Sequence, residues 1–101
     1  MEVERNSHHV YRMMYHIVWI PKYRHKVFEE PYRSSFKDII RKIGYDYDIR
    51  IEELEIPLDH IHMVVRGEPK QSVSWMMQVI KSKSAKEFFR TYPEIRRKYF
   101  W

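Results

Sequence analysis

The chain is 101 residues long, without cysteine, with a formal net charge of +5 at pH 7 and 16% aromatic residues. That length supports one small domain with a single sheet-and-helix core, and the missing cysteine excludes a disulfide framework, a thiolate zinc site and a cysteine nucleophile, which fits a reducing cytosol. No apolar stretch reaches the length of a membrane span and the polar first seven residues are unlike a signal peptide, so the expectation is a soluble cytoplasmic protein. Positive charge combined with aromatic rings suits a polyanion whose bases can stack, which makes nucleic acid the leading partner class.

Residues 10–20 are almost wholly apolar or aromatic on both faces, as in an interior strand, and within it His16 reads as a packed or sheet residue. Pro21 stops the strand, and Lys22-Tyr23-Arg24-His25-Lys26 follows as a basic loop fit to touch phosphate. Over residues 31–43 the apolar positions Tyr32, Phe36, Ile39, Ile40 and Ile43 recur at helical spacing; Gly44 reads as a left-handed C-terminal cap, with Arg41 and Lys42 in the last turn. Residues 45–56 alternate Tyr47, Ile49 and Ile51 against Asp48, Arg50 and Glu52, the pattern of a half-buried strand.

A third strand over residues 60–66 puts Ile61, Met63 and Val65 toward the helices and His60, His62 and Val64 on the other face. Ser72 is placed to cap a long helix that reaches about Tyr92, where Pro93 ends it. Its core stripe is Val73, Met76, Met77, Ile80, Ser84 and Phe88. Beside it runs a second row, Trp75, Val79, Lys83, Lys86 and Arg90, which reads either as a solvated edge with snorkelling lysines or as a face for DNA or a second subunit. The order strand, helix, strand, strand, helix is an α+β plan, a ferredoxin-like or RRM-like antiparallel sheet with helices on one face, lacking its last strand.

Within Asp59-His60-Ile61-His62-Met63-Val64-Val65, two imidazoles leave the same face of one strand. Imidazole is the commonest metal ligand at neutral pH, and two on a rigid strand can grip a cation while leaving positions open for phosphate oxygens. By itself the pair is equally well two ordinary strand histidines.

The context narrows this. Tyr15-His16-Ile17-Val18-Trp19-Ile20-Pro21-Lys22-Tyr23-Arg24, then Asp59 to Val65, then Gln78-Val79-Ile80-Lys81-Ser82-Lys83-Ser84, then Tyr92-Pro93-Glu94-Ile95 resemble, in order and spacing, the single-tyrosine HUH transposases of small prokaryotic insertion sequences, the IS200-like family. The resemblance implies a homodimeric transposase that binds hairpins at the ends of its element and cuts and rejoins single-stranded DNA through a 5′-phosphotyrosine intermediate, with Mg²⁺ or Mn²⁺. On that reading His60 and His62 are the catalytic metal ligands, Lys22, Tyr23 and Arg24 match the family's basic segment, and Asp59 would accept a hydrogen bond from a ligating histidine. Lys83, Lys86 and Arg90 are the further candidate DNA contacts. The family's tyrosine, and the polar residue one turn later that completes its metal site, lie on a helix beyond a further strand. The expectation is a single HUH domain truncated at its C-terminus and inactive alone, either a piece of a longer transposase or an inactive shortened transposase copy, with Tyr92 and Tyr99 as packing or surface residues.

Two other readings stand beside this one. An RRM-like module without catalysis would stack bases on exposed sheet aromatics. A metal-dependent phosphoesterase using activated water would need carboxylates beside the histidines, and Glu52, Glu53 and Glu55 are the nearest in the sequence.

Overall fold

A computed structural model describes residues 13–20, 29–57, 60–68 and 70–98, with the side chains of residues 96–98 left aside. Three strands, β1 (Met13–Trp19), β2 (Arg50–Glu55) and β3 (Ile61–Gly67), alternate with helices α1 (Tyr32–Asp46), α2 (Val73–Thr91) and the short α3 (Pro93–Lys98). The sheet order is β1-β3-β2, with β3 antiparallel to both neighbours. β1 and β2 are therefore parallel to one another and α1 crosses over between them with β3 inserted, the split βαβ arrangement of the anticipated α+β plan. No helix among the described residues is long and apolar enough to cross a membrane.

The core lies between one sheet face and the two long helices. β3 sends Ile61, Met63 and Val65 into it, each fully buried, and they meet Phe36 and Ile40 of α1 and Met76, Ile80 and Phe88 of α2. The Phe36 and Phe88 rings join the helices edge to face at 4.9 Å between centroids, the arrangement the ring quadrupoles favour. α2 follows its sequence pattern closely: the Ser72 hydroxyl accepts from the Trp75 N–H at 3.0 Å, satisfying one of the donors the first turn leaves open. Pro93 ends α2 and opens α3, where a residue without an N–H costs nothing.

Three expectations are corrected. Among the described residues β1 is not covered on both faces: it pairs there only with β3, burying Ile17 and Trp19 while Met14, His16 and Val18 are exposed. α1 does not stop at Ile43, and Gly44 is not its left-handed cap. The helix runs to Asp46, no described glycine has positive φ, and the chain reverses at Asp48 with φ 58°, a conformation aspartate tolerates because its short polar side chain can bond locally. Gly44 serves close approach instead. A Cβ there would lie 2.8 Å from Ile51 Cδ1 and 2.9 Å from the Ile49 carbonyl oxygen, and the Ile49 N–H donates to the Gly44 carbonyl at 2.8 Å. With the helix extended, Arg41 and Lys42 fall outside its last turn, and Lys42 pairs with Asp46 at 2.9 Å. The second strand likewise begins only at Arg50, and its alternation breaks at a register shift between Ile51 and Glu53. This bulge lets Ile51 and Leu54, three apart, both turn toward the core.

Candidate functional site

The face of the sheet opposite the helices carries Met14, His16 and Val18 from β1, His62, Val64 and Arg66 from β3, and Arg50 and Glu55 from β2, as the strand registers require. His62 is half-buried in the middle strand, paired with Val18 on one side and Glu55 on the other. His60 stands one residue ahead of β3 and is also half-buried. The strand thus positions His62 rigidly, since both its neighbours hydrogen-bond to the backbone around it.

A third imidazole, expected as a packed or sheet residue, lies on this face. His16 is exposed, its Nδ1 3.5 Å from His62 Nε2, the two rings 5.3 Å apart and tilted by 59°. Register is what brings them together. His16 pairs with Val64, so it reaches His62 along the diagonal between neighbouring strands. Of the three glutamates considered, Glu52 is engaged by Arg66, whose Nε donates to its carboxylate at 3.0 Å, and Glu55 is the one opposite His62 in register. Among the described residues no group of three histidine, cysteine or carboxylate side chains converges as a metal cage. The donor set nevertheless suits a divalent cation with open positions: imidazoles on or beside a stiff strand, partly exposed, with the Glu55 carboxylate across the register.

Lys83, Lys86 and Arg90 are exposed on α2 and line a groove of about 550 Å³ between α1 and α2, shared with Lys42, Asp38, Asp46 and Glu87. Lys83 Nζ lies 5.9 Å from the centroid of the Tyr47 ring, and Arg90 is ion-paired with Glu87. The basic row is therefore interleaved with carboxylates. It also belongs to the helical layer, across the sheet from His16 and His62, so the structure does not bring the two candidate sets together. Tyr92 caps α2 and packs edge-on against Tyr32 at 4.9 Å between centroids. Lys22, Tyr23, Arg24, Asp59 and Tyr99 lie outside the described residues.

Fold and site together define a small α+β domain that offers imidazoles on the open face of an antiparallel sheet. Residues 9–101 match the family model for IS200-like transposases, and the chain belongs to that family. It is 30% identical over 98 residues to the ISDra2 transposase TnpA of Deinococcus radiodurans, covering 97% of this chain and 70% of that protein. It is 36% identical over 99 residues to the transposase for insertion sequence element IS200 of Salmonella typhimurium, covering 94% of this chain and 65% of the relative. The fold is similar to the crystal structure of a Deinococcus radiodurans chain described as a transposase, with a TM-score of 0.82, 28% identity, and coverage of 85% of this chain and 66% of that one. The chain thus spans between 65% and 70% of the length of these relatives.

Proposed function

We propose that this chain is the DNA-binding and metal-binding body of a transposase that cuts and rejoins single-stranded DNA at hairpin-flanked element ends, working as a homodimer. The observation that carries the reading is His62, half-exposed on the central strand of the open sheet face, within a family whose members are transposases. His60 and His62 would hold the cation, Mg²⁺ or Mn²⁺, which when bound polarises the scissile phosphate and stabilises the charge that builds on its oxygens. The residues of the chain supply the rest: β3 fixes the imidazoles, and Arg66 and Arg50 put positive charge on the same face. Lys22, Tyr23 and Arg24, with Lys83, Lys86 and Arg90, are the candidate backbone contacts, and Asp59 is a candidate partner for the outer N–H of a ligating histidine.

The covalent step needs a tyrosine oxygen that attacks phosphorus in line, forming the 5′-phosphotyrosine and releasing a 3′-hydroxyl. Tyr92 is held against Tyr32 and Phe88 at a helix end, on the helical side of the sheet, so it is not the nucleophile in this proposal. That role falls to a residue outside the 101, on the further strand and helix that the family resemblance implies.

Among the described residues the open sheet face carries no tyrosine, phenylalanine or tryptophan on which bases could stack, which favours the transposase reading over a purely RRM-like module. Among the described residues the open face presents Met14, Val18 and the histidines, while Tyr15 and Trp19 turn toward the helices. The exposed aromatics Tyr45, Tyr47 and Trp75 lie elsewhere, in α1, the turn that follows it and α2.

The test is covalent capture. This chain, and a version lengthened to the full span of its relatives, would be incubated with labelled hairpin-flanked single-stranded DNA and Mg²⁺ or Mn²⁺ and examined for a denaturation-resistant protein–DNA band. The expected result is a band from the longer protein only, lost in His60→Ala or His62→Ala. A band from the 101-residue chain would overturn the assignment of the nucleophile, and no band from either would overturn the transposase chemistry.

A further inference from the structure

We infer that His16 is a positioning residue of the histidine site: its Nδ1 accepts a hydrogen bond from the Nε2–H of His62 and so holds that ring with Nδ1 free to face a cation. The inference rests on the metal-binding reading of His60 and His62 above and assigns a role to a residue that reading does not use. Three observations carry it. His16 Nδ1 and His62 Nε2 approach to 3.5 Å, and the rings are tilted at 59° rather than stacked face to face. His16 pairs with Val64 whereas Val18 pairs with His62, so His16 reaches His62 from the Val64 side, away from His60. His60 and His62 would share a cation through the His62 nitrogen that His16 does not touch. Finally, His16 is exposed, so packing does not account for an imidazole at this position.

Ligating histidines commonly donate their second ring N–H to a fixed acceptor, which sets tautomer and orientation and raises the basicity of the bound nitrogen. Carboxylates and carbonyls usually fill that role. Here the acceptor within reach is the His16 imidazole, whose unprotonated ring nitrogen has one lone pair and so accepts a single proton in one geometry. The arrangement holds when His16 carries its own proton on Nε2, the nitrogen turned away from His62. β1 and β3 then hold the two rings at a fixed diagonal, and the contact orders His62 before any cation arrives.

The experiment uses the whole chain with ¹⁵N-labelled histidine. Ring-nitrogen shifts report the His62 tautomer without metal, and Mn²⁺ alone, titrated and followed by the resonance of the free ion, reports affinity. The expected result is a single Nε2–H tautomer for His62, converted to a mixture by His16→Ala. The same change weakens Mn²⁺ binding by about 10- to 100-fold, and His16→Gln, which restores an acceptor oxygen, recovers most of the loss. Circular dichroism of each variant checks that the fold is retained. Unchanged tautomer and affinity in His16→Ala would overturn the inference. Loss of Mn²⁺ binding as complete as in His62→Ala, with both rings broadened alike by the ion, would overturn it in favour of direct ligation. If instead His60→Ala and His62→Ala left Mn²⁺ affinity untouched, the metal reading itself would fall, while the tautomer measurement would still report on the His16 contact.

Discussion

The two faces of the sheet are built from the same three strands and obey different rules. On the covered face, Ile17, Trp19, Leu54, Ile61, Met63 and Val65 are all at most 5% exposed and close against α1 and α2. On the open face, Met14 and Val18 are more than half exposed and His16 and His62 meet at a polar contact. Strand alternation hands each face every second residue, so the fold can be fixed by one set while the other is free to carry chemistry. The open face has one exception: Val64, 1% exposed, sits at the sheet centre between His16 and Glu53 in register, flanked along its own strand by His62 and Arg66. Even this face therefore has a buried centre.

The largest effect that would test this division is on the covered side. Phe88 is fully buried and touches the rings of Tyr32, Phe36 and Tyr92, so Phe88→Ala removes the aromatic hub between helices and is expected to cost about 3–5 kcal/mol by chemical denaturation. For a domain of this size that approaches the whole of its stability. A smaller loss tests the close approach of α1 to the start of β2. Gly44→Ala should gain up to about 1 kcal/mol of helix propensity, yet it drives a methyl into the Ile49 carbonyl oxygen, which is backbone and cannot swing aside. The expected net result is destabilisation by about 1–3 kcal/mol; a stabilised variant would restore the reading of Gly44 as a simple helix end.

Those same positions show where the sequence was legible and where it was not. The α2 stripe, the Ser72 cap and the outward turn of His62 follow from spacing within a few residues, and local geometry alone decides them. The strand order of the α+β plan was legible too, because a helix between β1 and β2 and a short turn between β2 and β3 leave few arrangements. Gly44 misled because a glycine after an apolar stripe is the usual mark of a helix end, and only contact with a distant strand reveals the other use. His16 is a sheet residue, as its strand pattern implies, but its meeting with His62 was not legible for a related reason: it depends on a β1–β3 register that joins residues 46 apart, and no local period encodes that. The basic row on α2 was legible as a period, but that it lies across the sheet from the histidines became visible only once the helices were packed.

The smallest expected effects separate the rim of the open face from its centre. His62→Ala and Val18→Thr alter side chains that are partly or largely in water, and each is expected to move stability by no more than about 0.5 kcal/mol. Val64→Ala, on the same face, removes two buried methyl groups and should cost about 1.5 kcal/mol. Urea unfolding of the three variants decides whether the contrast is real. Equal losses would mean that the open face is packed throughout and that His62 is a structural residue. A loss confined to Val64→Ala would mean that the histidines are held by the strands yet contribute little to holding them, which is the condition under which imidazoles can be spent on a ligand instead of on the fold.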